Sequence, residues 1–161
     1  MIQSVYATLL ADPAFTAPLT GGVYEQWRHN ELSRQHTPLA FDVDEELLPC
    51  ALLTADYTEP FHPQGDEVFI RMERQYFSIW FYQRFRYFHI LQARHRAYKL
   101  LHDVHLKPSM FPFNAPVQQD KAYRIQHIET TQTEEDGDID ARVIVARFCV
   151  MIDRCAFEFE C

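Results

Sequence analysis

A dense run of aromatic residues near the middle of the chain is the feature that most constrains its fold. Eight of the 23 aromatic residues fall between Tyr76 and Phe88. A strand that faces water on one side alternates apolar and polar residues. Here both parities are apolar, with one face carrying Tyr76, Trp80 and Tyr82 and the other Phe77, Ile79 and Phe81. We therefore expect both faces of this strand to be covered, by the rest of the chain or by another subunit.

Length and charge set the broad class of the protein. A chain of 161 residues is expected to form a single domain that spans residues 1–161. Its net charge of −8 disfavours non-specific binding to nucleic acid or to an anionic membrane. No window approaches about 20 apolar residues, and the N-terminus lacks the pattern of a signal peptide. The four cysteines fit a reducing compartment, and free thiols are expected at Cys50, Cys149, Cys155 and Cys161.

The periodicity of apolar residues predicts an α+β order of elements. A helical stripe runs through residues 2–11 and is ended by Asp12-Pro13. Strands are predicted at 49–57, 67–83, 122–131 and 142–153, the main helix at 84–103, and irregular loops at about 25–48, 58–66 and 104–121. This order predicts a largely antiparallel sheet of about four strands, with one main helix and a short N-terminal helix packed on it.

No catalytic, cofactor or metal site is predicted. The chain has no HExxH, CxxC or Gly-x-Ser-x-Gly motif and no phosphate loop. The acidic segment 134–140 fails as a calcium loop, because Gln132 and Val143 would occupy its first and twelfth positions. His102 and His105 are three residues apart near the end of the predicted helix. A surface zinc site would be compatible with this spacing, but capping of the helix end or exposure to solvent explains it better.

The charges are unevenly distributed along the chain. Six basic residues and no acidic residue lie between Arg74 and His102, whereas acidic residues concentrate at 42–46 and 134–140. Either the basic face balances acidic loops within one chain, or the opposite patches dock between copies or onto partners. The segment 154–161, with Phe157 and Phe159 alternating with glutamates, is either the end of the last strand or an arm that joins a neighbour's sheet.

Three stretches resemble the tail terminator, or tail completion, proteins of long-tailed bacteriophages. The first is Leu9-Leu10-Ala11-Asp12-Pro13-Ala14-Phe15 with the later turn Gly21-Gly22-Val23-Tyr24. The second is the long strand ending near Gln83 with the helical segment 93–103, and the third is the last long strand at 142–152. The chain departs from the family pattern in its long loops and in its unusually aromatic middle.

This resemblance implies a structural virion protein without catalytic residues or cofactors. Copies would form a ring, expected to be a hexamer, that ends the tail tube and offers a docking surface to the head-side neck protein. The implied partners are the chain itself, the tail tube protein and the head-side neck or connector protein, with DNA only passing through the lumen and no membrane. Such a protein would assemble in the host cytoplasm and reside in the virion.

The resemblance and the charge pattern together give a set of candidate subunit-interface residues. They are Arg84, Arg86, Arg94, Arg96, Glu134, Glu135, Asp136, Asp138, Phe157 and Phe159. Acidic residues lining a lumen would also keep passing DNA from binding. Three alternatives remain: another neck or head–tail connector component, a small-ligand-binding α+β module with its pocket between helix and aromatic strand, and an enzyme with a site that the sequence does not reveal.

Overall fold

A mixed sheet with helices packed on one face forms the framework of the protein. The computed structural model describes residues 2–26, 32–61, 72–85, 87–103, 105–106, 123–135 and 141–153. The strands are β1 Val23–Glu25, β2 Cys50–Phe61, β3 Met72–Gln83, β4 His105–Leu106, β5 Tyr123–Glu135 and β6 Ala141–Asp153. The helices are α1 Ile2–Leu10, α2 Pro13–Thr16 and α3 Phe88–Leu101, with a 3₁₀ turn at Pro38–Ala40.

The sheet order is β1-β2-β3-β6-β5-β4. The long strands β2, β3, β6 and β5 are antiparallel neighbours, which confirms the predicted α+β class. Two short edge strands complete the sheet: β1 runs parallel to β2, and β4 pairs with the start of β5. The aromatic strand β3 lies in the centre, because it pairs with β2 on one side and β6 on the other.

One face of the sheet and the helices enclose the larger core. From β3, Phe77, Ile79 and Phe81 are fully buried in it, and β6 contributes every second residue from Ile144 to Val150. The helices cover these residues with Val5 and Leu9 from α1, Phe15 from α2, and Ile90, Ala93, Ala97 and Leu101 from α3. The small alanines on α3 allow its backbone to lie close to the sheet.

A smaller core covers one end of the opposite face. Tyr82, Cys50 and Val143 lie side by side on three strands, and Trp80 packs at their edge. The segment 32–48 closes over them with Leu32, Ala40 and Leu47. The expectation that both faces of β3 need cover is therefore confirmed at this end, and part of the predicted loop 25–48 supplies the cover rather than another subunit.

Several predicted boundaries differ from the observed ones. The main helix begins at Phe88 rather than 84, and β2 continues through Phe61, past the predicted end at 57. β5 extends to Glu135, past the predicted end at 131, so Glu134 and Glu135 lie in a strand paired with β6. The predicted strand start at 67–71 and most of the loop 104–121 lie outside the described residues.

Asp12-Pro13 starts a helix as well as ending one. The Asp12 carboxylate accepts a hydrogen bond from Phe15 N at 2.8 Å and so caps α2, with Pro13 in the first helical turn. The same carboxylate accepts two hydrogen bonds from Arg96 of α3, at 3.0 and 2.6 Å. One side chain therefore ties α2 to the main helix.

We expect the Asp12 contacts to make the stability of the folded protein depend on pH. The hydrogen bond from Arg96 lowers the pKa of Asp12 below its ordinary value of 3.8. A lowered folded-state pKa gives stability that is present above the unfolded-state pKa and is lost as pH falls through the folded-state value. Asp12→Asn keeps a capping oxygen but removes the charge, so its melting temperature should fall below wild type at neutral pH.

The difference should shrink as the pH falls below the ordinary pKa of an aspartate and through the lowered folded-state pKa of Asp12, because the wild-type carboxylate then becomes protonated. Thermal unfolding followed by circular dichroism across this range measures it. Asp12→Ala serves as the matched variant, because it loses the cap as well and should be less stable than Asp12→Asn at every pH. A constant difference between wild type and Asp12→Asn would contradict the ion-pair argument.

Candidate assembly surfaces

Two exposed aromatic side chains mark the connection between β3 and α3. Phe85 and Phe88 are each 61% exposed, although the same aromatic run supplies fully buried residues a few positions earlier. The guanidinium of Arg84 lies 4.4 Å from the centre of the Phe85 ring, and the ring of His89 lies edge-on to Phe88 at 5.3 Å. Exposed aromatic residues grouped beside cations are typical of protein interfaces.

The outward side of α3 continues this surface. Phe88, Gln92, His95 and Lys99 follow helical spacing and are exposed, while the opposite side of the helix is buried in the core. No acidic residue occurs anywhere in α3. We call the exposed residues Phe85, Phe88, Gln92, His95 and Lys99 the outer stripe.

The predicted interface arginines do not all point freely to solvent. Arg84 forms an ion pair with Glu46, and Arg96 pairs with Asp12. Arg94 is half-buried, and its Nε atom has no hydrogen-bond partner. The acidic loop 42–46 and α2 thus neutralise two of these cations within the chain, as the first of the two sequence-based interpretations expected.

The remaining predicted interface residues are only partly located by the structure. Glu134 and Glu135 sit at the end of β5, opposite Arg142 and Ala141 of β6. Arg86, Asp136, Asp138, Phe157 and Phe159 lie outside the described residues. Because Arg142 faces Gln83 across the sheet, the acidic end of β5 and the start of α3 lie at the same end of the molecule.

A row of polar side chains crosses the second face of the sheet, beside the smaller core. Thr54, Ser78, Arg147 and Glu129 are directly opposite one another on β2, β3, β6 and β5. Asp56 links the row: it accepts hydrogen bonds from Ser78 Oγ at 2.5 Å and Thr54 Oγ1 at 3.1 Å. Arg147 lies 3.5 Å from Asp56 and donates to Glu129 at 2.7 Å. We call these residues the polar row.

A second polar contact lies farther along the same face. The rings of Tyr57 and Tyr76 stack with centres 4.4 Å apart, and Tyr76 donates a hydrogen bond to Glu59 at 2.6 Å. Glu59 also lies 3.5 Å from Arg74. The hydrogen bond to the Glu59 carboxylate, together with partial burial, raises the pKa of Tyr76. This half of the face is therefore polar and charged, in contrast to the apolar half under segment 32–48.

Two histidines pack together where α3 meets β5. The backbone N–H of His127 donates to Nδ1 of His102 at 3.1 Å, and Tyr98 stacks on the His102 ring at 4.6 Å. Burial, with smaller contributions from His102 and Arg94, lowers the pKa of His127. These rings therefore act as packing residues, and His102 pairs with His127, while the side chain of His105 is not among those described.

The potential metal ligands and thiols in the described part of the chain form no recognisable site. No group of three or more histidine, cysteine, aspartate or glutamate side chains there could hold a metal ion. Cys50 and Cys149 are buried free thiols, as expected, and burial raises the pKa of both. Among the described helices, none combines the length and apolar character needed to cross a membrane.

Comparison with known proteins identifies a similar fold. No protein-family model matches the chain, and no curated protein matches it. A solved structure does: a chain from the virion of a native gene transfer agent particle, with a TM-score of 0.59. The match covers 92% of this chain and 91% of that chain at 14% sequence identity. At this identity the match establishes a shared fold over nearly the whole length of both chains.

Proposed function

We propose that the chain is a non-enzymatic structural protein of a phage-like virion. The observation that supports this most is the similarity in fold to the gene transfer agent virion chain, which extends over 92% of the sequence. Surface features agree with an assembly role, because exposed aromatic residues and a helix that carries basic but no acidic residues are typical of surfaces that bind other proteins.

Within the virion, we propose the role of a tail terminator: a ring, expected to be a hexamer, at the end of the tail tube. This finer role rests on the resemblance of three stretches, which correspond to the end of α1 with α2 and the turn into β1, to β3 with α3, and to β6. The ring would stop tail polymerisation and present a surface to the head-side neck protein. The DNA of the virion would pass through the lumen of the ring without binding to the protein.

A closed ring uses heterologous contacts, in which one surface meets a different surface on the next copy. We propose that the acidic residues at 134–138 of one copy approach the cationic side of α3 on its neighbour. α3 carries Arg94, Arg96 and Lys99 and no acidic residue, which supports this pairing. The competing arrangement, charge balance within one chain, predicts that these acids are not needed for assembly.

The small-ligand alternative receives no support from the packing. Its expected pocket lay between the main helix and the aromatic strand. That space is filled by fully buried side chains, including Ile90, Ala93 and Phe81, and the Phe15 ring meets Phe81 edge-on at 6.3 Å.

Reversing the charges Glu134→Lys, Glu135→Lys and Asp136→Lys together should convert the ring into monomers, because like charges would then face each other. Native mass spectrometry and light scattering measure the assembly, with and without tail tube protein. Asp44→Lys with Glu45→Lys is the control, because it alters a different acidic segment and only an exposed ion pair with Arg34.

Two outcomes are informative in different ways. A ring that survives the triple reversal would count against the proposed pairing of acidic and basic surfaces. A wild-type chain that stays monomeric, even when it is mixed with tail tube protein, would overturn the terminator role itself.

A further inference from the structure

The outer stripe is an unusual surface for a single chain to leave exposed. Its aromatic end holds two phenylalanines that are each 61% exposed, and its other end holds the exposed cation Lys99. The helix between them has no acidic residue, and its first turn lacks the acid that commonly faces a helix N-terminus. A partner suited to this stripe would offer aromatic residues together with carboxylates.

The chain itself contains a segment with this chemistry. Residues 157–160 read Phe-Glu-Phe-Glu. In an extended segment, successive side chains point to opposite sides, so the two phenylalanines share one side and the two glutamates share the other. Four extended residues span roughly 10–13 Å, which fits along α3 between Phe88 and Lys99, a distance of about 16 Å at the helical rise.

The geometry of the sheet prevents this segment from reaching the aromatic end of the stripe in its own copy. The segment follows β6, whose last residue Asp153 is paired with Met72 at the start of β3. Phe85 lies beyond the other end of β3, roughly 35 Å away along a 12-residue strand. Phe159 is six residues after Asp153 and extends at most about 22 Å from it. Only another copy can bring Phe159 to Phe85.

We infer that the outer stripe of α3 is the docking site for residues 154–161 of a second copy of this chain. Phe157 and Phe159 would pack on Phe85 and Phe88, and Glu158 and Glu160 would lie on the outer side of the segment, in the positive potential of a helix that carries no acidic residue. The contact joins opposite ends of two molecules, so it is heterologous and can propagate around a ring. This inference rests on the proposed assembly function and names the surfaces that such an assembly uses.

A mixing experiment with two full-length variants tests the heterologous contact. Phe85→Ser with Phe88→Ser removes the docking surface, and Phe157→Ser with Phe159→Ser removes the docked residues. Each variant alone should be monomeric by native mass spectrometry. An equimolar mixture should form a 1:1 dimer and nothing larger, because one intact surface remains on each partner. If both variants still form wild-type rings, the inference is wrong while the ring function stands.

A peptide experiment tests the contact independently of ring formation. A fluorescent peptide of residues 154–161 is titrated into the full-length Phe157→Ser, Phe159→Ser variant and followed by anisotropy. Adding Phe85→Ser and Phe88→Ser should weaken binding by at least about tenfold, as expected for aromatic anchors of an interface. Adding Leu39→Ser instead is the control, because Leu39 is 78% exposed on the separate segment 32–48.

Each result of the titration decides the question. Binding that is weakened by the Phe85 and Phe88 changes but not by Leu39→Ser supports the inference, even if the wild-type chain forms no ring in solution. Equal affinity for all recipients, or no binding to any of them, overturns it. Circular dichroism of every variant checks that the fold is retained, which these exposed positions should allow.

Discussion

Replacing Phe77 by alanine is expected to lower the free energy of unfolding by about 3–5 kcal/mol. Phe77 lies in the central strand and is fully buried between the sheet and the helices. Its ring stacks on Phe148 of the adjacent strand, with centres 5.4 Å apart. Alanine would leave a cavity that the surrounding strands, held by hydrogen bonds on both sides, cannot easily close.

Urea unfolding followed by tryptophan fluorescence measures this change. Because domains of this kind have about 5–15 kcal/mol of total stability, the variant is expected to lose a large fraction of it. Phe88→Ala is the matched control: it removes the same side chain from an exposed position and should alter stability by less than about 1 kcal/mol. Similar losses for the two variants would contradict the assignment of Phe77 to the core.

Asp56→Ala is expected to have the next largest effect, a loss of about 1–3 kcal/mol. The Asp56 carboxylate accepts hydrogen bonds from Thr54 and Ser78, whose residues are 8% and 1% exposed. Without it, these hydroxyl groups lose an acceptor in a place that water reaches poorly, and Arg147 loses a nearby negative charge. An unpaired buried polar group destabilises the folded state more than a hydrogen bond stabilises it.

Two further variants separate the contributions to this loss. Asp56→Asn keeps an oxygen that accepts from Ser78 or Thr54 but removes the charge, so its stability should fall between wild type and Asp56→Ala. Glu129→Ala removes the exposed partner of Arg147 and should cost no more than about 1 kcal/mol. If Asp56→Ala unfolds at the same urea concentration as Glu129→Ala, the polar row does not stabilise the sheet as described.

The fold class was accessible from the sequence because its main signals are local. Both parities of the aromatic run are apolar, and this alone predicted a strand with cover on both sides. The stripe from Ile90 to Leu101 predicted the main helix, and the apolar alternation from Val143 to Val150 predicted β6. These patterns arise from the periods of the helix and the strand, which act over a few residues.

The errors in the boundaries have physical reasons. Pro60 favoured an early end to β2, because proline cannot donate to a sheet ladder. Among the described strands, however, the side of β2 that faces away from β3 has a neighbour only at Ala51–Leu53. On that side, a proline at position 60 therefore removes no hydrogen bond to another described strand. Helix propensity likewise extended α3 back to residue 84, whereas Arg84 and Phe85 form a bend that leads from β3 into the helix.

The polar row was missed because no stretch of sequence contains it. A serine within the aromatic run and an aspartate within β2 were the visible signals, but each has an ordinary explanation alone. Ser78 faces Thr54 and Arg147 only because of the register between three strands. The ion pair between Asp12 and Arg96 is hidden for the same reason, since its partners are 84 residues apart in sequence.

The sequence by itself thus determined the class of fold, the buried face of each main element and the absence of any recognised catalytic motif, since all of these follow from short-range patterns. The tertiary structure decided what covers each face of the aromatic strand and which charges are satisfied within the chain. It also decided which aromatic residues remain exposed. Those properties depend on strand register and on how distant segments meet: Phe77 is enclosed by elements on both sides, while Phe85 and Phe88 lie where the chain turns out of the sheet.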